Sequence, residues 1–207
     1  RSVFFTESYI DLIRLIAYAA FPFADRIVIP DILPGEYGSK RVGHPSYHEL
    51  AYLHPRRFAP DARVLDELGV NADEAFFILR FIGWGASHDV GEAGLSLEAK
   101  KRIVRTLKGY GRVFITSESK LHPWFEAYRM RIEPHRIHDA LYYARMFVGD
   151  SQSMTIEAAL LGTPALRCNS MVGRTTILQE LEHKYTLCYG YLPQDLEALT
   201  AKIEALA

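Results

Sequence analysis

Apolar positions along this chain fall into short runs separated by stretches of helical spacing. SVFFT, Ser2 to Thr6, is an apolar run of β type, and Ile10, Leu12, Ile13, Ile16 and Ala17 then recur on one helical face. RIVIP, Arg26 to Pro30, closes a β-α-β unit. The Pro- and Gly-rich PDILPGEYGSKRVGHPS that follows reads as irregular chain and marks a first boundary. YHELAYLHP and DARVLDELGV lead to AFFILRFIGW, Ala75 to Trp84, a continuous apolar run of the kind buried on both faces of a parallel sheet.

Beyond Trp84 the pattern alternates. A helix is expected over Ser96 to Lys108, a strand at RVFITS, a short helix near Pro123 to Tyr128, and a helix over Ile137 to Ala144. The strand RMFVGD, an apolar helix, the strand PALR, a helix over Thr175 to His183, a short strand at TLCYG and a closing helix from Gln194 complete the chain. Strands separated by helices of this length predict an α/β fold, a doubly wound, Rossmann-like parallel sheet with right-handed crossovers.

Composition narrows the classes of function. With 24 basic and 25 acidic side chains, the net charge of −1 supplies no field to gather nucleic acid or an anionic membrane, so any anion must be bound locally. No apolar run is long enough for an integral membrane segment and no secretory leader is evident, which sets a cytoplasmic expectation. Cys168 and Cys188 form no CxxC and no disulfide framework.

The candidate chemistry centres on GDSQSMTIEAALLGTPALR, Gly149 to Arg167, where a strand meets a helix. Ligands of parallel sheets bind at such carboxyl ends. Gly149 permits close backbone approach, and Asp150, Ser151 and Ser153 are candidate N-caps for a helix whose N-terminus, with Met154 in its first turn, would receive a phosphate. Between Met154 and Leu166 the only charged side chain is Glu157. With Ser153 as the cap, Glu157 falls one position past the place of a capping box and shares a face with Ser153, suited to a ribose or sugar diol. The structural alternative is a buried ion pair with Arg80 or Arg167.

Further candidates lie elsewhere. RFIGWGASHDVGEAG, Arg80 to Gly94, has a GxG after a strand but His88 where a dinucleotide fingerprint wants glycine. Gly85 there could contact phosphate, and His88 with Asp89 could act as an acid/base pair, against the plainer reading of a solvated surface loop. HRIHDALYYA supplies His135, His138 and Asp139, either as ligand contacts or as helix caps. HELAYLH has Tyr52 where a zinc protease motif needs its second histidine, so it is no zinc site. No metal site is expected.

GDSQSMTIEAALLGTPALR resembles the nucleotide-sugar signature of GT-B glycosyltransferases and of the UDP-N-acetylglucosamine 2-epimerases. YHELAYLHPRRFAPD, FFILRFIGWGASHDVGEAGLS, YGRVFITSE and YYARMFVGDSQSMTIEAALLGTPALR are similar, in order and spacing, to the domain of unknown function 354 family, viewed as glycosyltransferases. The resemblance implies the C-terminal half of a GT-B-type fold, residues 51–207, with residues 1–50 as the last β-α-β unit and linker of an N-terminal domain. It implies Ser151 and Ser153 at a diphosphate, Glu157 at a ribose, Gly162 and Pro164 shaping the next turn, and backbone near His135 at a base. Arg80 and Arg167 would support a departing nucleoside diphosphate, with no obligatory metal or other cofactor. The expected partner is a nucleotide sugar, a UDP-sugar first, with an unknown acceptor. Arg167 leads into CNSMVGRTT, without the acidic pair of the epimerases, which argues against epimerisation. A non-catalytic nucleotide-sugar-binding module is the alternative from another class. A chain holding so little of an acceptor domain is expected to bind donor without transfer to an acceptor, and to self-associate.

Overall fold

The computed structural model describes residues 1–7, 13–33, 35, 37–82, 94–117 and 120–207. Strands β1 (Val3–Phe5), β2 (Arg26–Pro30) and β3 (Arg41–His44) form a parallel sheet in that order, with helix α1 (Arg14–Ala20) between the first two. Strand β3 lies inside the segment expected to be irregular. Its RVGH shows no period-two alternation, and its backbone pairing with Ile27 to Pro30 supplies what its side chains do not advertise.

Helix α2 (Leu50–Leu53) follows, so the expected division after residue 50 falls within a helical turn. Helix α3 (Arg63–Leu68) ends where Gly69 takes φ 65°, a left-handed cap that suits glycine.

The second sheet is parallel throughout and runs β5-β4-β6-β7-β8, from β4 (Phe76–Phe81), β5 (Arg112–Ser117), β6 (Met146–Gly149), β7 (Ala165–Cys168) and β8 (Cys188–Tyr191). Successive side chains point to opposite faces. Phe76 and Ile78 pack with α3, α5 (Ile137–Tyr143), α6 (Gln152–Leu160) and α7 (Thr176–His183); Phe77, Leu79 and Phe81 pack with α4 (Leu97–Leu107) and α8 (Leu196–Leu206). The sheet is therefore doubly wound, as its apolar runs predict. Helix α4 starts where Ser96 Oγ accepts from the Ala99 N–H at 3.2 Å.

One apolar cluster runs without a break from Ile27, Ile29 and Leu33 beneath the first sheet to Phe147 and Leu178 beneath the second. Both cysteines are buried and free of disulfides, the Cys168 thiol donating to Leu192 O and the Cys188 thiol to Leu178 O, and burial pushes each thiol up to about 12. Among the described residues no helix is long and apolar enough to cross a membrane.

The strand order fixes where a ligand can sit. From β4 the chain winds through α4 to β5 on one side, then returns through α5 to β6 on the other side of β4. The reversal falls between β4 and β6. The helices that follow these two strands, α4 and α6, cover opposite faces of the sheet, which opens a crevice there.

Candidate functional site

Arg80 and Gly149 are register partners at the carboxyl ends of β4 and β6, and Gly149 is the partner of Arg167 on β7. At the usual strand spacing the two arginines stand roughly 10 Å apart across the glycine. Ile78, Phe147 and Ala165 belong to the cluster under α6, so by the two-residue alternation Arg80, Gly149 and Arg167 share that same face. A Cβ on Gly149 would lie 2.6 Å from Arg80 O. The close approach that this glycine permits is therefore to the neighbouring strand.

Asp150 is fully buried, with Oδ1 accepting from the Ile82 N–H at 2.9 Å and Oδ2 3.6 Å from Lys100 Nζ. It pins the end of β6 to β4 and to α4. Of the three candidate caps, Ser151 is the one used: its Oγ accepts from the Met154 N–H at 3.4 Å and its carbonyl from Thr155 Oγ1 at 2.6 Å. Ser153 is not the cap but an exposed residue in the second helical position, which puts Glu157 at the sixth. The first turn of α6, with the positive end of its dipole, lies beside the two arginines, Gln152 next to Arg167 and Met154 in one cavity wall with Arg80.

Next to that turn is a cavity of about 410 Å³ walled by Arg80, Thr116, Ile132, Pro134 and Met154. Arg80 Nη1 donates to Thr116 Oγ1 at 2.9 Å, which ties it to β5. His135 follows the wall residue Pro134 but is itself exposed and not part of the lining. Arg167 is 1% exposed, its Nη1 donating to Thr175 Oγ1 at 3.0 Å and reaching Gln152 Oε1 of α6 at 3.5 Å. The structure thus brings Arg80, Gly149, Ser151, Met154 and Arg167 to one corner. His88, Asp89 and Gly85 lie outside the described residues.

Glu157 sits one turn beyond Met154 on α6 and is nearly buried. Neither arginine is its partner. Tyr52 Oη donates to its Oε1 at 2.9 Å, and His138 Nε2 lies 3.1 Å from the same oxygen. Both contacts fall on Oε1, and among the described residues Oε2 carries no bond. Burial first, then the Glu157 charge, holds the Tyr52 phenol protonated well above its ordinary range. Asp139 accepts from the Asp61 N–H at 2.9 Å and from Arg136 Nη1 at 2.7 Å, a structural peg between α3 and α5.

The sequence reading passed over a second set of polar groups. Glu49, just before α2, is 3% exposed, and among the described residues its buried Oε2 has no hydrogen-bond partner. Burial, then the charges of Glu7 and Glu157, push its carboxyl up to about 7. His48 Nδ1 lies 3.6 Å from Glu7 Oε2. Its signal in the sequence is the HE pair of HELAYLH, a carboxylate and an imidazole side by side apart from any metal motif, and Glu7 joins it only through the β1-β2-β3 pairing. Among the described residues no group of three His, Cys, Asp or Glu side chains is placed to hold a metal ion.

No protein-family model matches the chain, and no curated protein matches it. Among solved structures it is similar to the wall teichoic acid polymerase TagF, with TM-score 0.43 and 11% identity over 91% of this chain and 53% of that one. A variant of the same polymerase gives TM-score 0.42 and 10% identity over 91% and 54%. The chain spans about half the length of the solved structures it matches.

Proposed function

We propose that the chain is the nucleotide-sugar-binding part of a GT-B-type glycosyltransferase serving cell-surface polysaccharide or glycoconjugate synthesis, with residues 51–207 as the donor side and residues 1–50 belonging to the acceptor side. The observation that carries this is the row Arg80, Gly149, Arg167 at the switch point of the sheet, beside the N-terminus of α6. Two guanidinium groups and a helix start form a local anion site in a chain whose net charge is −1.

In this reading the diphosphate rests on the first-turn N–H groups of α6, and the base enters the cavity between Thr116, Pro134 and Met154. Glu157 Oε2 accepts from the ribose hydroxyls while Tyr52 and His138 hold Oε1. Arg80 and Arg167 then balance the charge that develops on the departing nucleoside diphosphate, an electrostatic contribution needing no metal. A UDP-sugar is the first donor to try. Calorimetry with UDP-, GDP-, CMP- and dTDP-sugars tests the reading. It expects at least one donor to bind, and no binding by any of them refutes it.

A further inference from the structure

A strongly basic cleft lies at the outer edge of the five-stranded sheet, beside β5, which ends the strand order. Lys108 caps α4, Arg112 opens β5, and a 3₁₀ turn over Pro123–Tyr128 leads the chain back to Arg129 and Arg131. The Met130 N–H donates to Ile115 O at 2.8 Å, which ties this returning segment along the free edge of β5. The four cations wall a cavity of about 470 Å³ with Tyr128, and among the described residues Glu67 is the one carboxylate in its lining.

Two of the guanidinium groups are already held in place. Arg112 Nη1 donates to Gly69 O, and its Cζ stands 5.1 Å over the Phe114 ring. Arg129 donates from Nε and Nη2 to the two oxygens of Glu126, at 2.8 and 2.7 Å. Each fork keeps further N–H groups, on Nη2 of Arg112 and Nη1 of Arg129, for a second acceptor. The other two cations are exposed, and among the described residues neither has an ion pair: Lys108 Nζ lies 5.6 Å over the Tyr128 ring, and Arg131 has no side-chain partner. The nearby carboxylates are engaged, Glu67 by Arg136 at 3.1 Å and Glu126 by Arg129, with Glu74 4.0 Å from Arg112 Nε. Like charges around one cavity repel, and in a chain of net charge −1 that is a local cost which a bound anion removes.

We propose that this cleft binds a phosphomonoester group, with Arg112 and Arg129 receiving it and Lys108 and Arg131 closing on its charge. The planar forks of two arginines match phosphate oxygens, and the lysine adds a point charge. A phosphomonoester carries close to two negative charges at neutral pH, which answers the two cations that have no carboxylate of their own. Arg112 and Thr116 lie at opposite ends of β5, roughly 13 Å apart at the usual rise, so this site is separate from the corner at Arg80 and independent of the donor reading.

The test is residue-resolved NMR of the 207-residue chain titrated with inorganic phosphate at constant ionic strength. Amide signals should shift at Gly111, Arg112 and Tyr128 to Arg131, whereas shifts at Gln152 to Met154 would report the corner at Arg167 instead. Lys108→Gln and Arg131→Gln should each weaken the response of the cleft about tenfold with an unchanged melting temperature, and Arg131→Lys should retain most of it. Vesicles of phosphatidylcholine with and without phosphatidic acid separate the two sources of such a group. Cosedimentation that needs phosphatidic acid and is lost in both glutamine variants makes the ligand a lipid headgroup, and its absence alongside phosphate binding makes it a soluble phosphate compound. Amides of the cleft that stay unmoved by millimolar phosphate, shifts that chloride reproduces, or a response unchanged in both glutamine variants would overturn the site.

Discussion

Arg80 on β4 and Arg167 on β7 stand in register on either side of Gly149, on the sheet face that α6 covers. Each is anchored by a threonine hydroxyl, Arg80 by Thr116 and Arg167 by Thr175. The charges are thus fixed before any ligand arrives, which limits the reorganisation that binding would require.

Removing the Glu157 charge should weaken donor binding by about 1–3 kcal/mol, the range for a hydrogen bond to a charged group. Glu157→Gln keeps an acceptor oxygen for Tyr52 and should preserve the fold. Ser151→Ala removes one cap bond, costs about 1 kcal/mol of stability, and weakens binding less, because backbone donors hold the phosphates. Calorimetry and thermal melts of the two variants check this. Unchanged affinity with a large melting-temperature loss in Glu157→Gln would make that residue a structural link between α2 and α6.

Gly149→Ala should destabilise the protein by about 1–3 kcal/mol, the usual cost of forcing extra atoms into a packed position. The new methyl would press on Arg80 O, a backbone atom in the adjacent strand. Urea unfolding measures the loss, and a variant as stable as the parent would contradict the close strand packing.

Glu49 gives a pH signature whose sign is set by its raised carboxyl. Its ordinary value is 4.5 and burial brings it to about 7 in the fold, so the folded state holds an extra proton between those values. The stability tied to that proton is complete below about 4.5 and is lost as pH rises through about 7. Glu49→Gln should therefore match the parent in acid and exceed it by up to roughly 3 kcal/mol above neutrality. Parallel stability curves for the two proteins from pH 4 to 8 would show that Glu49 ionises normally.

Leu15, Tyr18 and Phe23 are 84%, 81% and 82% exposed on and just after α1. Clustered apolar exposure of this kind promotes association. Sedimentation across a dilution series should show a mass that rises with concentration and falls in Leu15→Glu. A constant monomer mass would count against it.

How much of this was legible in the sequence depends on how local each signal is. FFILRF and RMFVG announce buried parallel strands because every residue in them except Arg80 and Arg145 is apolar or glycine, and Ser96 marks its helix through a cap three residues from its donor. Strand β3 was not legible, since RVGH becomes a strand only through the backbone of β2. The site divides the same way. The turn at Gly149 to Met154 could be read from one continuous segment, although the choice of Ser151 over Ser153 as cap depends on backbone angles that the residue types do not specify. The partners of Glu157 could not be read, because Tyr52 lies 105 positions away and His138 on another helix. The register of Arg80 with Arg167 likewise needs the strand order.

The most direct measurement is a structure of this chain soaked with UDP. The account predicts diphosphate density on the first-turn N–H groups of α6 between Arg80 and Arg167, with the ribose against Glu157 Oε2 and the base beside Met154. Density for UDP elsewhere on the molecule, or a corner that stays unchanged at saturating UDP, would contradict it.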